Sequence, residues 1–485
     1  MKNIIRQLVE DKKLLRKTAD KILALPKDDQ TATLKFLTDF GLNINYAREF
    51  LGYVFDVAKR DVLTVSQVLQ HHLISYLQKK TKLPPARQKD LLREILRELR
   101  YPYSYGAAKS KEKSKLLLSA TDTPKTQTTA GFEKIYVEKS VKKELITQNV
   151  LKHYKDLPLE YIDAAHQLIK AHYSIGRGKR TLVLAEQKGE WLDRCPGTRK
   201  HICCNYLVIN NIVNCPYDCT YCYLQTYINN NILTVYANAA DILDALDDFF
   251  KLHHGEHYRV GTGEFSDSLA LDKVLGFSQP LIGFFAQQKD HLLELKTKSA
   301  EVEHLLDLKH NGQTVFAWSV NPEKLIEREE FGAVSLAKRL QAAKKCVAAG
   351  YPVAFHFDPI IHYAGWEKDY QQVVKKIFAA IPADKIAWIS LGALRYQPEL
   401  KDIIEERHPQ SKITLGELDV AEDGKLRYFK PVRLDIFQKM HGFIRARSGD
   451  VYVYLCMESS DIWAKAGIKN KTKNPYAKYF RFFCK

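Results

Sequence analysis

Cys215-Pro216-Tyr217-Asp218-Cys219-Thr220-Tyr221-Cys222 places three cysteines at C-x3-C-x2-C spacing. Three thiolates this close can bind three irons of a cubane cluster and leave the fourth iron without a protein ligand. Soft sulfur selects zinc or iron–sulfur over hard cations. A structural zinc would want a fourth ligand, and His201, Cys203 and Cys204 lie near enough that spacing alone leaves zinc open. Six of the nine cysteines fall between Cys195 and Cys222, whereas Cys346, Cys456 and Cys484 are scattered. That distribution fits a local metal site in a reducing compartment better than a disulfide scaffold, and a cytoplasmic location is expected.

On either side of the cysteines, strands and helices alternate. Leu207-Val208-Ile209 reads as a strand leading in, Leu233 to Tyr236 as a short extended piece, and Ala239 to Phe250 as a helix. Tyr258-Arg259-Val260 is a predicted strand ending in Gly261-Thr262-Gly263. Further strands are predicted at Leu292 to Lys296, Val315 to Ser319, Val353 to Phe357 and Ile386 to Leu391. Helices are predicted around Leu271 and Ile282, from Ser335 to Ala349 and from Trp366 to Ile377. The alternation predicts a parallel sheet with helices outside it and catalytic groups at the carboxyl ends of the strands.

The rest of the chain divides around this unit. Residues 1–108 read as a helical domain, with Val62, Val65, Leu69, Leu73 and Tyr76 at helical spacing; it is either a binding module or a stabilising extension. Residues 109–131 read as a linker, and 132–200 as a lead-in with a strand at Ile135-Tyr136-Val137 and a helix from Leu159 to Tyr173. The barrel follows over 201–415, then a small C-terminal extension over 416–485 with strands at Lys425 to Lys430 and Val451 to Leu455. It ends in a basic-aromatic tail, Lys469 to Lys485, which either grips phosphates and stacks bases or packs back on the domain. The formal charge of +17, from 74 Lys and Arg against 57 Asp and Glu, favours a polyanionic partner. No apolar run reaches the ~18 residues of a membrane span, and no secretory leader is expected from the charged pattern after Met1-Lys2-Asn3.

The three-cysteine loop, followed by an aromatic residue and set at the start of a βα series, resembles the radical S-adenosylmethionine superfamily. The resemblance implies a 4Fe–4S cluster on Cys215, Cys219 and Cys222 whose open iron is chelated by S-adenosylmethionine. Reductive cleavage of the sulfonium bond then gives a 5′-deoxyadenosyl radical. Gly261-Thr262-Gly263-Glu264 matches the Gly-Gly-Glu-like segment that receives the methionine amino group in such enzymes.

A narrower resemblance is to the spore photoproduct lyase family. It is carried by Cys195-Pro196-Gly197-Thr198, Cys203-Cys204, Cys215 to Gln225, Ser266-Asp267, Thr297-Lys298-Ser299 and Trp318-Ser319-Val320-Asn321. Ala348 to Val353 and the run from Asp358-Pro359-Ile360 to Gly365-Trp366 add to it. It implies an α/β fold, a partial (β/α)6 barrel that repairs a thymine dimer of the spore photoproduct type in DNA. It also implies that Lys298 and Ser319 contact S-adenosylmethionine, that Ser266 and Asp267 line the same pocket, and that Tyr221 and Tyr223 are candidates for a tyrosine relay. The implied partners are DNA and an electron donor such as flavodoxin or ferredoxin.

One position departs from that family. The lyases keep a cysteine two residues before the Ser-Asp pair, where it donates the hydrogen that quenches the product radical; here the residue is Glu264. A carboxyl O–H is a poor hydrogen-atom donor. The departure leaves open another donor, namely Tyr221, Tyr223 or a cysteine elsewhere in space, and also leaves open another radical substrate such as RNA, a nucleotide or a peptide. A non-catalytic nucleic-acid-binding protein that keeps the cluster structurally is the remaining alternative.

Overall fold

The computed structural model describes residues 131–169, 173–197, 201–228, 230–470, 474–480 and 482–484, together with Lys27 and Ser66. Apart from Lys27 and Ser66, the helical expectation for 1–108 therefore lies outside the described residues, as does nearly all of the 109–131 linker.

Six parallel strands form a curled half-barrel in the predicted places: β1 (Leu207–Ile209), β2 (Tyr258–Gly261), β3 (His291–Thr297), β4 (Thr314–Ser319), β5 (Val353–Ile360) and β6 (Ile386–Ala393). They neighbour one another in chain order. A seventh parallel strand, β7 (Val453–Leu455), joins the far side of β6, so the segment read as a C-terminal extension is partly woven into the barrel sheet. Beyond β1 the sheet is edged by the antiparallel strand Leu192–Arg194.

Parallel strands buried on both faces read as nearly continuous apolar runs. Here one face, including Leu293, Leu295, Phe355 and Ile389, packs under helices. These are α1 (Ala240–Leu252), α2 (Ser278–Phe285), α3 (Leu336–Ala348), α4 (Trp366–Ala380), α5 (Pro398–Arg407) and α6 (Lys430–Arg445). Helix α3 begins at Ser335, whose hydroxyl accepts from the Lys338 amide at 3.4 Å. It buries Leu336, Leu340, Ala343 and Cys346 at helical spacing, which makes Cys346 a core residue.

The other face carries Leu292, Val315, Ala317, Ala354 and Trp388, and it is covered by the tail. Tyr479 and Phe480 are buried there. Phe480 stacks on Tyr452 at 4.8 Å and lies 4.5 Å from the Arg259 guanidinium. Phe483–Cys484 then pairs antiparallel with Ile202–Cys203. Of the two readings of the tail, its described aromatic residues follow the second and pack back on the domain.

A polar line crosses this face. Arg259 on β2 pairs with Glu294 on β3 at 2.7 Å, Glu294 meets His356 on β5 at 2.7 Å, and His356 Nδ1 meets the Ser390 hydroxyl on β6 at 2.6 Å. Burial opposes ionisation of Glu294, but Arg259 and His356 hold its carboxyl at about 2. His356 is thus tied into the sheet itself.

One element differs from expectation. Leu159 to Tyr173 is not one helix: Leu159–Ile162 is a strand and only His166–Ile169 is helical. The strand pairs in parallel with Lys134–Glu138 at the edge of a second, five-stranded sheet that also takes in Leu233–Tyr236. Edge pairing of backbone groups has here overridden a helix-like apolar spacing.

Glu294→Gln leaves Arg259 as a buried cation without its carboxylate, and a loss of about 3–5 kcal/mol is expected in urea unfolding. Because the folded carboxyl lies below its ordinary value of 4.5, the wild-type advantage is complete above that pH and fades as pH falls toward about 2. Unfolding curves of both proteins across that window should converge at the acid end.

Candidate active site at the cluster loop

The cysteine loop follows β1 at the carboxyl end of the barrel strands. Asn214 opens it with a left-handed φ of 73°, a conformation that Asn tolerates better than most residues. Its side-chain oxygen accepts from the Cys215 amide at 2.8 Å. Asp218–Cys219 pairs antiparallel with Glu330–Phe331, and the Thr220 amide donates to the Glu329 carbonyl at 2.9 Å. The Cys222 amide closes a turn onto the Cys219 carbonyl at 3.1 Å.

Asp218 is the hub of the loop. Arg407, at the end of α5, reaches its carboxylate at 2.8 and 3.3 Å, and Lys179 approaches it to 3.6 Å. Lys179 also donates to the carbonyls of Cys215, at 3.0 Å, and Tyr217, at 2.5 Å. Burial would push the Asp218 carboxyl up, yet Lys179 and Arg407 hold it at about 2. Two distant cations thus fix the backbone between the first two cysteines.

Cys215, Cys219 and Cys222 are free thiols. Burial pushes Cys215 up to about 12 and Cys219 well above its ordinary value, so as thiols both are protonated at neutral pH. Ligation to iron removes those protons. Among the described residues, no group of three or more His, Cys, Asp or Glu side chains is placed to hold a metal ion as it stands. A cubane, with one thiolate on each of three corner irons, accepts a wider triangle than one ion does. The loop fits such a group in donor chemistry and in charge: Lys179, Lys298 and Arg339 surround it, and a cluster on three thiolates is anionic. Burial alone would depress Lys298, but Cys219 and Glu330 hold its ammonium above the ordinary value.

The two candidate tyrosines part company. Tyr221 donates to Glu330, which also pairs with Arg339 at 2.5 Å and accepts from Asn321 at 2.9 Å; Tyr370 closes this buried network onto Asn321 at 2.8 Å. Tyr223 instead donates to the Glu264 carbonyl at 2.9 Å and to its Oε1 at 3.1 Å.

The candidate cofactor pocket is assembled at the ends of β2, β3 and β4. Ser266 Oγ is buried without a hydrogen-bond partner, an unsatisfied group of the kind a ligand completes. Asp267 is already committed: Oδ1 accepts from Leu269, Ala270 and the Thr297 hydroxyl at 3.0, 2.9 and 2.6 Å, and Oδ2 accepts from the Lys298 amide at 2.6 Å. It therefore shapes the pocket by joining the ends of β2 and β3. Ser319 ends β4, its carbonyl bonded to Arg339 at 2.9 Å. Gly261 and Gly263 do permit close approach, although to protein: a Cβ on Gly261 would lie 2.0 Å from the Tyr206 hydroxyl, and one on Gly263 would lie 2.7 Å from Lys296 Cβ.

Sequence reasoning missed Lys179, Arg407, Glu330 and Arg339, none of which lies near the cysteines in the chain. The only signal was chemical, since an aspartate inside a ligand loop of soft thiols calls for cations from elsewhere. Cys204, one of the residues whose nearness in the chain left zinc open, meets Arg259 at 2.9 Å.

A parallel half-barrel with a three-thiolate loop after its first strand defines a radical S-adenosylmethionine enzyme. The family model described as spore photoproduct lyase matches residues 135–439. The chain belongs to the spore photoproduct lyase family. It is 33% identical over 242 residues to the spore photoproduct lyase of Bacillus subtilis (strain 168), covering 49% of this chain and 69% of the relative. It is 32% identical over 206 residues to that of Geobacillus sp. (strain Y412MC61), covering 42% of this chain and 60% of the relative. The fold agrees with a solved spore photoproduct lyase complexed with dinucleoside spore photoproduct, at a TM-score of 0.60 and 23% identity over 67% of this chain and 98% of that one.

Arg407→Met removes a buried cation from Asp218 while keeping the bulk of the helix end. The reconstituted variant should hold less than half the wild-type iron, and amides of the cysteine loop should exchange faster. Tyr221→Phe should keep its iron and lose only about 1 kcal/mol of stability, the usual worth of a hydrogen bond.

Proposed function

We propose that this enzyme is a radical S-adenosylmethionine lyase that reopens the methylene cross-link of spore photoproduct in DNA. The observation that carries the reading is the cysteine loop, held by Lys179 and Arg407 at the carboxyl end of a half-barrel, within a chain that matches the lyase family model over 135–439. When bound, a 4Fe–4S cluster on Cys215, Cys219 and Cys222 and S-adenosylmethionine supply reductive cleavage of a sulfonium bond and, from it, hydrogen abstraction.

The protein's own groups do the rest. Ser266, through its unsatisfied hydroxyl, and Lys298 and Ser319 bind S-adenosylmethionine, while Asp267 keeps the strand ends in register around it. Gly261 and Gly263 let β2 close against Tyr206 and β3, which carries Glu264 toward the pocket. Tyr223 and the half-buried cysteine loop limit solvent access to the pocket. A lesion within duplex DNA must leave the stack to reach this site, and the surplus of 17 positive charges favours contact with its phosphates. The electron comes from a low-potential carrier such as flavodoxin or ferredoxin. Among the described residues no helix is long and apolar enough to cross a membrane.

The test is an anaerobic reaction of reconstituted enzyme with dithionite, S-adenosylmethionine and an oligonucleotide carrying a spore photoproduct. Restored thymine together with 5′-deoxyadenosine is the expected result. Deoxyadenosine without loss of the lesion assigns a different substrate, and RNA is the first to try. Ser266→Ala should weaken S-adenosylmethionine binding about tenfold, corresponding to ~1.4 kcal/mol, as measured by calorimetry on the cluster-loaded protein.

A further inference from the structure

An electron bound for a buried cluster must cross protein, so its carrier has to dock where little separates the cysteine loop from the surface. The short helix Ile175–Lys179 meets that condition on the Cys215–Asp218 side of the loop. Lys179 donates to the carbonyls of Cys215 at 3.0 Å and Tyr217 at 2.5 Å. One residue earlier, a Cβ on Gly178 would lie 2.2 Å from the Asn231 carbonyl oxygen, which accepts from the Asn214 side chain immediately before Cys215. Arg177, the next residue back, is exposed. Its guanidinium lies 4.9 Å from the Tyr173 ring, and no carboxylate among the described residues pairs with it. Exposed lysines around the barrel are neutralised: Lys273 by Glu301, Lys345 by Glu303, Lys430 by Asp461 and Lys439 by Glu367. The candidate cofactor pocket adjoins the other end of the loop, where Tyr223, beyond the last cysteine, meets Glu264.

Resting on the radical S-adenosylmethionine reading above, we propose that Arg177 and the exposed face of its short helix dock the electron carrier, an acidic low-potential protein of the flavodoxin or ferredoxin type. Electron-transfer encounters bury little surface and are steered by charge, so a small patch suffices. The carrier is oxidised by one electron and the cluster reduced by one; no bond forms or breaks and no proton moves. Arg177 attracts the carrier's carboxylates, while Gly178 and Lys179 keep the helix pressed on the loop that the electron must reach. DNA is also a polyanion, but in the reading above the lesion enters at the Glu264 end of the loop.

Titrating the cluster-loaded enzyme with oxidised flavodoxin, followed by flavin fluorescence anisotropy, tests the contact without turnover; a plant-type ferredoxin is the second probe. Arg177→Glu should weaken binding about tenfold and Arg177→Lys should retain it, with wild-type affinity falling as salt rises. In single-turnover reactions, reduced flavodoxin should yield 5′-deoxyadenosine about tenfold more slowly with Arg177→Glu than with wild type. Dithionite, which needs no docking, should drive both proteins equally and so shows that the variant is folded and loaded. Unchanged carrier binding or an unchanged carrier-driven rate in Arg177→Glu overturns the assignment, as does a wild-type enzyme that binds neither carrier. A slower dithionite-driven rate overturns it too, since the change would then act on the cysteine loop itself. Weaker oligonucleotide binding in Arg177→Glu, with carrier binding unmoved, gives the segment to DNA instead. A wild-type enzyme that forms no 5′-deoxyadenosine even with dithionite takes down the radical reading alone, because binding of oxidised flavodoxin still reports on the docking site.

Discussion

Everything at the candidate site depends on the clasp around Asp218. A loop that presents three thiols to one cluster must resist collapse when empty and charge repulsion when loaded. The protein meets both demands by burying a carboxylate between the first two cysteines and closing Lys179 and Arg407 on it. Buried ion pairs are not in themselves a source of much stability. Their use here is geometric: each partner arrives from a different part of the chain, and the three meet only if the half-barrel is correctly closed. The same logic recurs one layer away, where Glu330 gathers Tyr221, Asn321 and Arg339, and on the opposite sheet face, where Glu294 joins Arg259 to His356.

The half-barrel was legible because its strands are buried on both faces and its helices carry a one-sided apolar stripe. Each signal is local, and all six predicted strands from Leu207 to Leu391 stand where their apolar runs placed them. The cysteine loop stood out for the same reason, since its three thiols lie within eight residues of one another. What could not be read is what folding brings from afar. Lys179 and Arg407 are 36 residues upstream of Cys215 and 189 downstream of Asp218, with nothing in their own segments to mark them. The strand at Leu159–Ile162 was hidden because its conformation is set by Lys134–Glu138 alongside it. The tail's aromatics spelled nucleic-acid binding and core packing equally well, and only the apolar floor beneath Phe480 decides between them.

The space that Gly261 and Gly263 leave is filled by Tyr206 and Lys296. Asp267, expected in the cofactor pocket, has its oxygens occupied by four protein donors and serves the pocket as a brace. Glu264 was conspicuous as a departure from the family pattern, yet its partner was unreadable from sequence, because both tyrosines flank Cys222 and only the fold sends Tyr221 to Glu330 and Tyr223 to Glu264.

The central claim is that three cysteines hold a cluster with one open corner that S-adenosylmethionine fills. Electron paramagnetic resonance of the dithionite-reduced, reconstituted protein tests it directly. The account predicts one reduced 4Fe–4S signal whose g values move when S-adenosylmethionine is added, and its disappearance in Cys219→Ala. A signal that S-adenosylmethionine leaves unchanged, or a protein that takes up zinc in place of iron, would contradict it.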